Sequence, residues 1–135
     1  MGSADVVREY LALLQRRDPA GLDVVVAEDV VVIGPDGSTV FSDRAAWKQA
    51  MADEPFTDER IEIDDLVAEG DRVALRFRLT AVHSGTAFGV APTGKQITTS
   101  GTKIYTVRHG RIVRIAGHDD VLGLLRQLGL AELPV

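Results

Sequence analysis

Apolar residues recur along this chain with two different periods, which divide it into a helical first part and a β-rich second part. Between positions 6 and 14 they follow the three- and four-residue spacing of an amphipathic helix. Asp18 followed by Pro19 predicts a second, short helix, because proline favours the first helical position. After a short strand at 29–33, a further helix that carries Trp47 is expected.

From residue 60 onward the pattern changes to alternation, which is typical of strands. Turn signals such as Glu69-Gly70-Asp71 and His109-Gly110 separate the alternating segments. This organisation predicts one α+β domain over residues 1–135, with N-terminal helices on a curved, mostly antiparallel sheet. The predicted strands of the meander are 60–68, 73–83, 96–108 and 111–118.

Two ionisable side chains, His118 and Asp120, stand where the last strand passes into a C-terminal helix. Strict alternation would place Ile112, Arg114, Ala116, His118 and Asp120 on one face of this strand. Two residues apart on a strand, an imidazole and a carboxylate could act on one small substrate. The spacing alone favours a simpler interpretation, in which the carboxylate of Asp120, or of the adjacent Asp119, caps the following helix.

The composition argues against several classes of protein. The net charge of −5 and the scattered Lys and Arg residues argue against a nucleic-acid partner. The chain has no cysteine, which excludes thiolate chemistry. Its three histidines do not have a metal-binding spacing, so no metal is expected. No apolar run approaches membrane-spanning length and no leader is evident, so we expect no membrane partner and a cytoplasmic protein.

Two segments carry a family resemblance: HSGTAFGVAPTGKQI at 83–97 and HGRIVRIAGHDDVLGLLRQLGL at 109–130. In both the order and the spacing of their motifs they resemble the SnoaL-like polyketide cyclases. The resemblance implies the cone-shaped nuclear transport factor 2-like fold. It also implies that the acid/base aspartate, which precedes the Leu-Gly-Leu-Leu helix by one residue, is Asp120 and not Asp119.

The reaction that this resemblance implies is a cofactor-free, intramolecular aldol closure in natural-product biosynthesis, acting on a hydrophobic small molecule. Asp120 would remove the proton from an acidic C–H group, and His118 could protonate the alkoxide that forms. Two alternatives remain: opening of an epoxide by an enzyme of the same fold, and a ligand-binding or scaffold protein without catalysis.

Further expectations concern five residues that could contact the substrate. Arg114 could hold an oxyanion, although a solvated arginine is the simpler interpretation. Ala116 stands where the family usually has a tryptophan, which predicts a reshaped pocket. Tyr10 and Trp47 could line the cavity or belong to an ordinary core, and His83 could approach the pocket mouth or lie in a turn.

The two faces of the predicted sheet both carry apolar residues. If helices cover one face, the apolar surface of the other, which we expect to include Val113 and Ile115, needs a partner. A homodimer is therefore expected.

Overall fold

The computed structural model describes residues 1–132. Within this part of the chain, four helices (α1–α4) and six strands (β1–β6) follow one another in the order α1, α2, β1, β2, α3, β3, β4, β5, β6, α4. In chain order the helices span Ser3–Arg16, Pro19–Val25, Arg44–Ala52 and Val121–Gln127, and the strands span Val26–Ile33, Thr39–Phe41, Phe56–Glu69, Arg72–His83, Gln96–Arg108 and Arg111–Asp119.

All six strands belong to one curved, open sheet with the strand order β2-β1-β6-β5-β4-β3. Neighbouring strands are antiparallel except β1 and β6, which run parallel. The predicted meander is therefore present as β3 to β6. The α+β architecture with a C-terminal helix, expected from the sequence, is confirmed.

Helix α1 supplies much of the core. Its apolar side chains Val6, Val7 and Tyr10 are almost completely buried. They pack with inward side chains of the sheet, among them Ile112 and Ile115. Burying one side chain of this size stabilises the fold by about 1.5–3 kcal/mol, so α1 is held against the sheet mainly by this contact. No helix within residues 1–132 is long and apolar enough to cross a membrane.

The short helix α2 begins as predicted. Pro19 is its first residue, and the Asp18 side chain accepts a hydrogen bond from the Gly21 backbone N–H at 3.0 Å. This bond satisfies one of the free amides at the start of the helix. It also fixes the turn between α1 and α2, which lies at one side of the cavity described below.

A bulge in β6 decides which side chains face the helices. Ile112 pairs with Val107, whereas Arg114 pairs with Thr106, so β6 has one extra residue at this point. Beyond the bulge the inward residues are Ile115 and those that alternate with it, and Ile112 and Ile115 are both buried. Strict alternation over the whole strand, as predicted from the sequence, is therefore wrong.

The bulge also changes the expected dimer face. Ile115 is only 3% exposed and belongs to the core, so the predicted free face carrying both Val113 and Ile115 does not exist. The outer face of the sheet instead carries one apolar residue from each of five adjacent strands, in direct register. We call this set the outer apolar row; it consists of Val67, Ala74, Ile104, Ala116 and Ile33.

Candidate active site

A cavity of about 520 Å³ lies between the inner face of the sheet and the helices. Its wall is mainly apolar, with Leu14, Phe77, Ile97 and Leu124 among the lining residues. A volume between about 300 and 1,000 Å³ is typical of sites for small molecules. A few ionisable and hydroxyl-bearing side chains interrupt the apolar wall, and these define what chemistry the cavity can support.

Asp119 and Lys103 form an ion pair on the wall of the cavity. The Lys103 Nζ donates a hydrogen bond to the Asp119 carboxylate at 2.9 Å. Asp119 is the last residue of β6, and Lys103 lies on the adjacent strand β5. Both side chains line the cavity. The arrangement places a carboxylate, which can accept a proton, beside a cation that can hold an oxyanion.

Two glycines create the space for this ion pair. Across the β5–β6 pairing, Gly101 lies opposite Asp119 and Gly117 lies opposite Lys103. A Cβ on Gly101 would come within 2.7 Å of Asp119 Oδ1, and a Cβ on Gly117 within 2.9 Å of the Lys103 side chain. A larger residue at Gly101 would therefore displace the Asp119 carboxylate, and one at Gly117 would clash with the Thr102 carbonyl oxygen as well as with Lys103.

The structure places Asp120 and His118 away from the cavity. The Asp120 carboxylate accepts a hydrogen bond from the Gly123 backbone N–H at 2.9 Å and caps α4. His118 pairs with Thr102 on the outer face and is exposed. The expectation that these two side chains face the pocket is wrong, because the bulge turns Asp119 inward in their place. The helix-capping alternative for Asp120 is confirmed.

A second group of charges, at the mouth of the cavity, consists of Glu54, Glu59 and Arg17. Arg17 follows α1 with a left-handed backbone (φ 54°). Its guanidinium donates to the Phe56 carbonyl and lies 3.7 Å from the Glu59 carboxylate. Arg17 therefore ties the end of α1 to the start of β3, where Glu59 is located.

Glu54 lies just before β3. Unlike Glu59, it has no cation at ion-pair distance within the described residues. Confinement in the cavity wall, reinforced by the negative charge of Glu59, raises the pKa of the Glu54 carboxyl to about 7. Partial burial raises the pKa of Glu59 as well, and the Arg17 charge opposes this rise. Glu54 can thus carry a proton near neutral pH.

Three aromatic side chains with polar groups, Tyr10, Tyr105 and Trp47, also line the cavity. The Tyr10 and Tyr105 rings meet edge to face, with their centroids 5.8 Å apart. Burial raises the pKa of both hydroxyls, which therefore remain protonated. The indole N–H of Trp47 is buried close to the Tyr10 hydroxyl, but the two groups do not meet in hydrogen-bonding geometry, and the N–H has no partner within residues 1–132.

Of the other residues expected to contact substrate, none lines this cavity. Ala116 pairs with Ile104 and Arg114 with Thr106, so both lie beyond the bulge on the outer face. The idea that Ala116 reshapes the pocket is therefore wrong. His83 is fully buried, and its Nδ1 lies 2.9 Å from the Thr93 hydroxyl, where it holds the loop after β4.

Sequence reasoning missed Lys103, Glu54, Glu59, Arg17 and Tyr105. For Lys103 a signal was present, since strict alternation on β5 puts it on the same face as Tyr105 and Val107, which are both buried. Glu54 and Glu59 had no such signal, because the backbone between them is irregular: Asp58 adopts a positive φ of 53°. Within residues 1–132 no cluster of three or more His, Cys, Asp or Glu side chains could hold a metal ion.

Comparison with solved structures gives close relatives of the fold. AclR from Streptomyces galilaeus, described as a candidate hydroxylase, superposes with a TM-score of 0.86 at 29% identity, over 98% of this chain and 84% of that one. IdmH from Streptomyces antibioticus, described as a candidate polyketide cyclase, superposes with a TM-score of 0.83 at 27% identity, over 96% of this chain and 99% of that one.

A third structure, a candidate polyketide cyclase from Acidithiobacillus ferrooxidans, has a TM-score of 0.82 at 25% identity and covers 96% of each chain. No curated protein sequence matches this chain. The sequence profile of the SnoaL-like polyketide cyclases matches residues 4–128, nearly the whole length. The chain therefore belongs to the SnoaL-like polyketide cyclase family.

Proposed function

We propose that this protein is a cofactor-free acid/base enzyme of the cyclase type, which closes a ring in an apolar small molecule by intramolecular aldol addition. Asp119, not Asp120, is the base in this proposal. The observation that carries it is the Asp119 carboxylate on the wall of a mainly apolar cavity, 2.9 Å from the Lys103 ammonium. Membership of the family supports the class of reaction.

The Asp119–Lys103 pair suits the first step of such a reaction. When the carboxylate of Asp119 takes a proton from a carbon next to a carbonyl, negative charge moves from the carboxylate to the enolate oxygen. In this proposal the Lys103 ammonium lies beside both the carboxylate and the enolate oxygen. It therefore stabilises the negative charge before and after the proton transfer without moving. The wall around the pair is mainly apolar and the Lys103 side chain is largely covered, so solvent screens this interaction less than it would screen a fully exposed pair.

The aromatic group supports binding of a substrate rich in carbonyl oxygens. The Tyr10 and Tyr105 hydroxyls and the Trp47 N–H are donors, and the Trp47 N–H has no acceptor within the described residues. A bound carbonyl oxygen would satisfy such a donor, whose burial without a partner costs free energy. A neutral, mostly apolar molecule with several carbonyl groups fits these walls.

A base-abstraction probe tests the proposed chemistry without knowledge of the natural substrate. 5-Nitrobenzisoxazole loses its C–H proton to a base while its N–O bond breaks, which releases a coloured nitrophenolate. We expect the protein to accelerate this elimination with saturation kinetics. A rate equal to that of buffer would contradict enzymatic proton abstraction and favour the ligand-binding alternative.

We further propose that the protein is a homodimer and that the outer apolar row forms its interface. The row is a continuous apolar strip across five strands, on the sheet face opposite the cavity. Val67 and Ile104 in this row are 66% and 40% exposed. An exposed apolar strip of this kind is typical of a surface that binds another protein.

A further inference from the structure

Among the described residues, four side-chain carboxylates line the cavity, and three of them have a partner. Asp18 caps α2 by accepting from Gly21, Glu59 lies beside Arg17, and Asp119 is paired with Lys103. Glu54 alone has neither a cation at ion-pair distance nor a side-chain hydrogen bond within the described residues.

The backbone around Glu54 is firmly held. Its N–H donates to the Met51 carbonyl at 3.3 Å, at the end of α3. The carbonyl of the next residue, Pro55, accepts hydrogen bonds from Ser84 at 3.0 Å and from Gly85 at 2.9 Å. The backbone at Glu54 is thus fixed on both sides, which fixes the point on the cavity wall from which its side chain leaves the chain.

We propose that Glu54 is the proton donor of the cyclisation and acts together with Asp119 from a different part of the cavity wall. The inference rests on the proposed function, since it assigns the second proton transfer of the same reaction. Glu54 precedes β3 and Asp119 ends β6, so the two carboxylates approach a bound molecule from separate elements.

In the ring closure each of the two carboxyl groups transfers one proton. Asp119 takes a proton from the carbon beside one carbonyl, and the resulting enolate carbon forms a bond to a second carbonyl carbon. The electron pair of that C=O bond moves to its oxygen, and Glu54 donates its proton to the alkoxide as it forms. Asp119 then carries the extra proton and Glu54 is ionised. Glu54 and Asp119 are both exposed to solvent, so Asp119 can release its extra proton to water while Glu54 takes one up, which restores both groups and completes the cycle.

The charged groups around Glu54 fit the role of a donor. Glu59 on β3 and Asp119 on β6 disfavour its ionised form, and Arg17 at the end of α1 favours it. The largest cause is the enclosure of the Glu54 carboxyl by the cavity wall, and the combined effects raise the pKa of Glu54 to about 7 although part of the residue stays exposed. A general acid works best when its pKa lies near the working pH, because it then holds the proton and can still release it.

The test compares two probe reactions in the whole protein. The 5-nitrobenzisoxazole elimination needs only a base, whereas 2-methyl-2-(3-oxobutyl)cyclopentane-1,3-dione closes by intramolecular aldol addition and needs both a base and a proton donor. In Glu54→Gln we expect the closure rate to fall at least about ten-fold more than the elimination rate. The closure rate of the wild type should also decline as pH rises through about 7, and this decline should be absent in Glu54→Gln.

Asp53→Asn is the matched control, because Asp53 is adjacent and exposed, and contacts Gln49 rather than the cavity. Equal losses in both reactions of Glu54→Gln, or no loss in either, would overturn the role of Glu54. A wild-type protein that catalyses elimination but not closure would overturn it too, while the Asp119 assignment would stand. A wild-type protein that catalyses neither would overturn the proposed function itself.

Discussion

Lys103 and Asp119 meet diagonally across two neighbouring strands, with their charged atoms 2.9 Å apart, and each of them faces a glycine in the partner strand. The pair therefore depends on Gly101 and Gly117 as well as on the charges themselves. An ion pair at the wall of an apolar cavity needs both room and fixed geometry, and the two glycines provide the room.

We predict that Gly101→Ala disrupts the site. The new Cβ would lie 2.7 Å from Asp119 Oδ1, 2.8 Å from the His118 carbonyl oxygen and 2.9 Å from Phe77 Cζ. Overpacking of this kind costs about 1–3 kcal/mol and should also move the Asp119 carboxylate. Urea denaturation and the elimination assay measure the two effects. Thr102→Ala, on the outer face of the same strand, is the control, and equal behaviour of the two variants would contradict the packing argument.

Trp47 should report ligand binding directly, because it is the only tryptophan in the chain and lines the cavity. We expect its fluorescence to be quenched with saturation as 5-nitrobenzisoxazole is added, since a bound nitroaromatic ring would lie close to the indole. Free N-acetyltryptophanamide is the reference compound. Linear quenching equal to that of the reference would show that the probe does not enter the cavity.

The dependence of the free energy of unfolding on pH should reveal the raised pKa of Glu54. Its pKa is higher in the folded protein, about 7, than the ordinary value of 4.5. The folded state therefore binds the Glu54 proton more tightly than the unfolded state does. The stabilisation that protonated Glu54 gives the folded state is complete below pH 4.5 and is lost as pH rises through about 7. Urea denaturation of wild type and Glu54→Gln at pH 5 and pH 8 tests this. The variant should lose less stability than the wild type over that interval, and equal losses would contradict the prediction.

A charge introduced into the outer apolar row should prevent the proposed dimer from forming. Ile104→Asp places a charge in the middle of the row, and burying an unpaired charge in an interface is costly. We expect light scattering at micromolar concentration to give a dimer for the wild type and a monomer for the variant. Val24→Asp, at an exposed apolar residue of α2 outside the row, should remain dimeric. A monomeric wild type would rule out the proposed interface.

The fold could be predicted from the sequence because its signals are local. Helical spacing in α1, the Asp18-Pro19 start of α2 and the alternation from residue 60 onward each correspond to an observed element. The family resemblance of residues 83–130 was confirmed by the match over residues 4–128. Each of these features is set mainly by neighbouring residues, so one sequence suffices to recognise it.

The site could be predicted only in part, because its geometry depends on how distant segments pair. A single bulge lies in β6, where Ile112 pairs with Val107 but Arg114 pairs with Thr106. Because of this extra residue, Asp119 and not Asp120 faces the cavity. Nothing in the local alternation marks that extra residue. Glu54 reaches the cavity through the end of α3 and the contacts of Pro55 with the loop after β4, which are likewise tertiary. The cytoplasmic location stays a prediction.

The most direct measurement compares Asp119→Asn with Asp120→Asn in the elimination of 5-nitrobenzisoxazole, with urea denaturation of both variants as a check of folding. Asn caps helices about as well as Asp, so Asp120→Asn should retain stability within about 1 kcal/mol and most of its turnover. Asp119→Asn removes the proposed base, and kcat/KM should fall by about 100-fold or more. Equal rates in the two variants, or a larger loss in Asp120→Asn, would contradict the assignment of Asp119 as the base.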